Sequence, residues 1–154
     1  CSSDLTYRKM AEHTVDEVLK VLGRRGRCST KHLDLFGATS RDRNDHLVSR
    51  FGTEAAEIRK LIATDASLGA PLVPGLPYVR AEAVYSARHE LVVTLDDVLS
   101  RRTRGLLYDR DASVRAAREV AQLIAPELGW DAARVDREVR HFEEVFDREV
   151  AAAR

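Results

Sequence analysis

At 154 residues, with 44% hydrophobic and 32% charged positions, the chain has the composition of one globular domain and not of a disordered polymer. Lysine plus arginine and aspartate plus glutamate both number 25, so the formal net charge is zero. That balance argues against a dedicated nucleic-acid binder, though not against a local basic patch.

A first helix is predicted from about Asp4 to Leu22, with Met10, Ala11, Val15, Val18, Leu19 and Leu22 inward and Gly23 ending it. From Arg24 to Ser40 there is little periodicity, which reads as a long connection. A shorter helix follows from about Arg43 to Phe51, ended by Gly52, and Thr53 is placed to cap a helix carrying Ala55, Ile58, Leu61 and Ile62. Pro71, Pro74, Gly75 and Pro77 then require an extended or turning chain. Helical spacing resumes from Tyr78 to His89. Leu91-Val92-Val93-Thr94 is strand-like, but alone it cannot pair, so it reads as a joint between helices.

Thr94-Leu95-Asp96-Asp97 has the form of a capping box and starts a short helix to Arg102. Gly105-Leu106-Leu107-Tyr108 is an apolar stretch expected to be buried. Val114, Ala117, Val120, Ala121, Ile124 and Leu128 trace the next helix, with Asp111 as its cap, Pro126 bending or ending it and Gly129 supplying a left-handed exit. Asp131 caps a last helix whose apolar face is Val135, Val139, Phe142, Phe146 and Val150. The fold class is all-α: a bundle of about six helices ending in a helical hairpin.

The chain shows no enzyme machinery of its own. Among His13, His32, His46, His89 and His141 no pair has metal-binding spacing, so these read as surface or hydrogen-bonded histidines. Cys1 and Cys28 make neither a disulfide framework nor a zinc site and point to a reducing, cytoplasmic compartment. No apolar run approaches the roughly 20 residues of a membrane span, and the first residues have neither region of a signal peptide. There is no G-x-S-x-G, no G-x-G-x-x-G and no Walker pattern. Two arginine clusters stand out, Arg24, Arg25 and Arg27 in a connection and Arg101, Arg102 and Arg104 after a capped helix. Such clusters suit anions, but no aromatic stacking platform accompanies them. The first reads as a solvated loop. The second, tied to an apolar stretch, reads as an ion-pairing hub or an interface.

The segment from Pro77 through Arg80, Glu82, Arg88 and His89 to Glu90, and its continuation from Thr94 to Arg104, resemble the C-terminal domain of the FAD-dependent glycerol-3-phosphate dehydrogenases of the aerobic type. Leu128-Gly129-Trp130-Asp131 is similar to the break between that family's last two helices, and Thr6-Tyr7-Arg8-Lys9-Met10-Ala11-Glu12-His13 to the stretch that leaves its flavin domain. The resemblance covers nearly the whole chain.

It implies a parent enzyme that oxidises glycerol 3-phosphate to dihydroxyacetone phosphate, passing hydride to FAD and electrons to quinone. The present chain would be the helical cap packed on the N-terminal flavin-binding domain, binding no FAD and inactive alone. Residues 4–154 would be that cap and residues 1–3 a remnant foreign to it. The family's Gly-Gly-Lys-x-Thr-Thr-Tyr-Arg is matched here only by Thr6, Tyr7 and Arg8, so either the chain is truncated there, the favoured reading, or that part of the site is lost. Thr6 is a flavin-edge candidate. Arg80, Glu82, Arg88, His89, Glu90, Arg101, Arg102 and Arg104 are candidates for an interface or ion-pair hub. The resemblance also implies a cytoplasmic parent associated with the membrane's cytoplasmic face, and it allows a homo-oligomer. The competing reading is a free-standing helical interaction or nucleic-acid-binding module that uses its arginine clusters; no nucleic acid is expected on the favoured reading.

Overall fold

The computed structural model describes residues 6–38 and 44–152. Among them are seven α-helices and no strand; one isolated bridge joins Pro71 to Val79. The helices are α1 (Thr6–Val21), α2 (His46–Phe51), α3 (Ala55–Thr64), α4 (Arg80–His89), α5 (Gly105–Tyr108), α6 (Arg110–Leu128) and α7 (Ala132–Ala152). The all-α expectation of about six helices holds; the single turn α5 was not expected as a helix, and the short helix expected from Thr94 to Arg102 is wound as a π turn over Asp97–Arg102. The predicted helix starts at Asp4 and Arg43 lie outside the described residues.

The chain divides into two compact units, Cys1–Ala38 and Thr39–Arg154. In the first, α1 is followed by a return segment with a short 3₁₀ turn at Thr30–His32. None of its described side chains is buried. The inward face expected of α1 is therefore corrected: Met10, Val15, Val18 and Leu22 stand open because no element of this unit covers them.

The second unit has a conventional interior. α4 is its central helix, buried without a break from Ala81 to Ser86. Its Ala83 joins Leu95, Val98, Leu99, Val120, Ile124, Val139 and Phe142 in the main core, while Ala81 and Tyr85 join Phe51 and Ile58 in a smaller one. Small residues on α4 and α6 (Ala81, Ala83, Ala116, Ala117 and Ala121) let helix backbones approach closely, and larger chains fill the gaps between them. Each fully buried Ile or Leu contributes about 2 kcal/mol, and Ile58, Leu95, Leu99 and Ile124 are all of this kind.

Most helix ends follow their chemistry. Asp131 Oδ1 accepts from Arg134 N at 2.7 Å, and Gly129 leaves α6 at φ 64°. Pro126 lies inside α6 without ending it, since the helix has only two further residues to make. Two caps differ from expectation. Asp109, not Asp111, caps α6 by accepting from Ala112 N at 2.9 Å. Thr53 sits inside a 3₁₀ turn, Gly52–Glu54, so it does not cap α3, whose first turn simply continues that coil.

Candidate functional site

The C-terminal end of α4 and the turn after it hold most of the polar candidates. Thr94 and Asp97 form the expected capping box: Asp97 Oδ2 accepts from Thr94 N at 2.9 Å and from Val93 N at 3.0 Å, and Thr94 Oγ1 accepts from Asp97 N at 3.3 Å. The helix they open is wound as a π turn over Asp97–Arg102. Thr103 closes it, its N–H donating to the Val98 carbonyl five residues back at 2.9 Å and its buried hydroxyl donating to the same carbonyl at 2.8 Å. Arg104 then takes a left-handed conformation, φ 53°, which turns the chain directly into α5. Gly105 is needed there. A Cβ at that position would lie 2.9 Å from Ser113 Oγ and 3.4 Å from the Leu99 carbonyl. Leu107 and Tyr108 are exposed, against expectation, because α5 is one turn long and turns only Gly105 and part of Leu106 toward the main core.

Burial pushes the Asp97 carboxyl up, but the N–H groups of Val93 and Thr94, the Arg101 guanidinium and the Thr94 hydroxyl outweigh it and hold the pKa at about 2. Arg101 in turn pairs with Asp97 at 2.5 Å and with Asp96 at 3.0 Å. Arg102 donates through Nη2 to the Glu90 carbonyl at 2.5 Å, closing the turn onto the end of α4.

Glu82 is the most deeply buried ionisable residue in this region, at 0% exposure. Its Oε1 accepts from Val79 N at 2.9 Å and pairs with His46 Nε2 at 3.0 Å; its Oε2 accepts from Arg50 Nη1 at 2.7 Å. Arg50 stacks over Tyr78 with its guanidinium 4.6 Å from the ring centroid and donates through Nη2 to the Arg102 carbonyl at 2.6 Å. One buried carboxylate thus ties α2, the start of α4 and the π turn together. A lone buried charge is costly, so this clustering of donors is what makes Glu82 tolerable inside the fold.

The remaining candidates are dispersed. Arg80 pairs with Glu119 on α6, while its Nε is buried without a hydrogen-bond partner. Arg88 grips Glu127 with two bonds, at 2.7 and 2.5 Å, which raises the arginine pKa and lowers that of the glutamate. His89 lies against Tyr85, ring centroids 4.7 Å apart. Burial and the Glu54 carboxylate, which accepts from the Tyr85 hydroxyl, push Tyr85 up to about 12. Arg104 is exposed. Thr6 opens α1, but its side chain lies outside the described residues.

The structure therefore brings Glu82, Glu90 and Arg102 into one linked set and leaves Arg80, Arg88, His89, Arg101 and Arg104 apart from it. Arg50, His46 and Tyr78 were missed as site residues, because they approach Glu82 across 32 or more positions or by stacking on Arg50. The available signal was Glu82 itself: within a buried helix it has no basic residue three or four positions away, so its partner had to come from afar. Among the described residues no group of His, Cys, Asp and Glu could hold a metal ion, and no helix is long and apolar enough to cross a membrane.

The segment holding this set is part of a recognisable module: the C-terminal domain of alpha-glycerophosphate oxidase matches residues 7–135. The chain belongs to this family. It is 32% identical over 164 aligned positions to glycerol-3-phosphate dehydrogenase 2 of Mycobacterium tuberculosis, covering 94% of this chain and 28% of that protein. It is 29% identical to a mitochondrial glycerol-3-phosphate dehydrogenase of Arabidopsis thaliana, covering 92% of this chain and 28% of that one. The glycerol-3-phosphate dehydrogenase of Synechocystis is 27% identical, with 93% of this chain and 29% of the relative aligned. The chain thus spans less than a third of the length of these relatives. No solved structure matches. The family segment begins inside α1 and ends in the first turn of α7, so it includes Arg50, Glu82, Glu90 and Arg102.

Proposed function

We propose that the chain is the C-terminal helical cap of an FAD-dependent glycerol-3-phosphate dehydrogenase. Its parent oxidises sn-glycerol 3-phosphate to dihydroxyacetone phosphate, with FAD accepting the hydride and quinone the electrons. The observation that carries this reading is the family match over residues 7–135 together with dehydrogenase relatives aligned along more than nine-tenths of the chain. The partner is the N-terminal flavin-binding domain of the same parent, and the parent works peripherally at the cytoplasmic face of a membrane.

The groove on α1 carries both signs of charge: Arg8 donates to Glu12 at 3.2 Å and to Thr30 at 3.4 Å, and Asp16 and Arg27 also line it. FAD is assigned to the preceding domain because the family match is to a C-terminal domain. The linked set around Glu82 serves the cap as a brace that fixes α2, α4 and the π turn relative to one another. The nucleic-acid reading is disfavoured by the same contacts, since Arg101 is paired with two carboxylates and Arg102 is turned inward onto Glu90.

The test is the purified full-length parent, assayed for bound FAD and for reduction of a soluble quinone by sn-glycerol 3-phosphate. The expected result is about one flavin per chain and turnover that depends on glycerol 3-phosphate. A parent with no flavin, or one indifferent to glycerol 3-phosphate, would overturn the reading.

A further inference from the structure

The winding of Asp97–Arg102 is set by groups at its end and outside it. A π turn closes its bonds over one residue more than an α turn and is rare, and a short one is retained where other contacts over-determine it. Here the hold has two parts. Thr103, 1% exposed, sends both its N–H and its hydroxyl to the Val98 carbonyl, at 2.9 and 2.8 Å. Arg50 of α2 donates through Nη2 to the Arg102 carbonyl at 2.6 Å, while its Nη1 donates to Glu82 at 2.7 Å. The two ends of one guanidinium fork thus link a buried carboxylate of α4 to the last carbonyl of the π turn.

The strain that accompanies this winding sits directly downstream. Arg104 takes φ 53° and ψ 23°, a left-handed conformation that is costly for any residue with a Cβ. An α-wound alternative exists for the same chain. In it the Thr103 N–H moves from the Val98 carbonyl to the Leu99 carbonyl four residues back, the surplus residue passes into the turn, and Arg104 returns to negative φ. Val98 and Leu99, both at 0% exposure, precede the change and keep their places in the core. What the alternative forfeits is the bond from Arg50 and the doubled bond from Thr103. α2 is itself only six residues long, too short to persist as a free helix, so its place rests on its docking: Phe51 in the smaller core, His46 and Arg50 on Glu82.

We propose that Asp97–Arg102 is a two-register element latched by α2. With α2 docked, Arg50 holds the Arg102 carbonyl, the segment is π-wound and Arg104 is left-handed. With α2 displaced, the segment rewinds as an α turn, and Arg104 and the start of α5 reorient. α2 is the input of this device and the exposed Arg104 side chain its output. Arginine suits the latch because its planar fork reaches two acceptors at once, whereas a lysine ammonium would pair with Glu82 and leave the Arg102 carbonyl unheld. The device is complete within the second unit and does not depend on which parent enzyme carries it.

The test is Arg50→Lys in the present chain, which keeps a cation on Glu82 and removes the fork. The sign of φ at Arg104 is read from its Cα–Hα coupling in solution, and amide exchange is followed at Thr103 and Val120. In the variant the Arg104 coupling should move toward the negative-φ value. The Thr103 amide should exchange at least about tenfold faster than in the unaltered chain, with Val120 changed by less than about twofold. Adding Arg104→Gly, which admits the left-handed conformation without strain, should restore the protection of Thr103. An unchanged Arg104 coupling would overturn the proposal. So would exchange that quickens equally at Thr103 and Val120, which is a loosened core and not a change of register. Should Arg50→Lys fail to fold, Thr103→Val decides: it removes the hydroxyl bond to the Val98 carbonyl while filling the same space, and it should move the Arg104 coupling in the same direction. A coupling that stays put in Thr103→Val would overturn the proposal as well.

Discussion

The two compact units carry the same kind of sequence pattern and reach opposite outcomes. In α1 the apolar residues recur with helical spacing and remain in solvent; in α6 and α7 residues of the same kind are closed into a core at 0 to 8% exposure. The difference lies in what each helix has to pack on. α6 has α4 on one side and α7 on another, whereas α1 has a return segment whose Leu33, Leu35 and Phe36 are themselves 69 to 84% exposed. Periodicity specifies which side of a helix is apolar. It does not specify whether the partner is in the same chain segment.

The contrast makes the second unit the place where substitutions should register in this chain. The largest effect is expected from Glu82→Ala, which leaves the Arg50 guanidinium facing a vacancy beside the core. A loss of about 3 kcal/mol is predicted in urea unfolding, and a loss below about 1 kcal/mol would show that the brace is dispensable.

Next is the acid limb. The Asp97 carboxyl is held at about 2 against an ordinary value of 3.8, so its stabilisation is fully present above pH 3.8 and is lost as the pH falls toward 2. The shift corresponds to about 2 kcal/mol at most. Asp97→Asn should therefore lower stability at neutral pH and flatten the pH dependence across that window, as followed by circular dichroism. A variant with an unchanged acid limb would place the acid sensitivity elsewhere.

Gly105→Ala comes third, at about 1 to 2 kcal/mol, because the added methyl meets Ser113 Oγ and the Leu99 carbonyl. Replacing Ser113 by Ala in the same chain should recover part of the loss, which a purely conformational effect at Gly105 would not allow. The smallest effect sharpens the comparison from the other side: Val18→Asp should change the unfolding free energy of this chain by less than about 0.5 kcal/mol.

Much of this was legible in the sequence. Val135, Val139 and Phe142 announced the buried face of α7, Gly129 the exit of α6, and Thr94 with Asp97 the start of the π turn, because each depends on chemistry within a few residues. The family, too, was legible, through motifs at four separated places. What escaped was everything that depends on distant partners. Glu82 was picked out, but Arg50 and His46 were not, since nothing local links positions 32 and 36 residues away. The π winding over Asp97–Arg102 has no compositional signature. The exposure of Leu107 and Tyr108 follows from α5 stopping after one turn, which apolar content could not foretell.

The claim that the buried core lies in the second unit, and that the described side chains of the first have none, is tested most directly by amide hydrogen exchange on the present chain, resolved by peptide. The account predicts protection in α4 and α6 at least about a hundredfold above that in α1. Protection of α1 equal to that of α6 would contradict it.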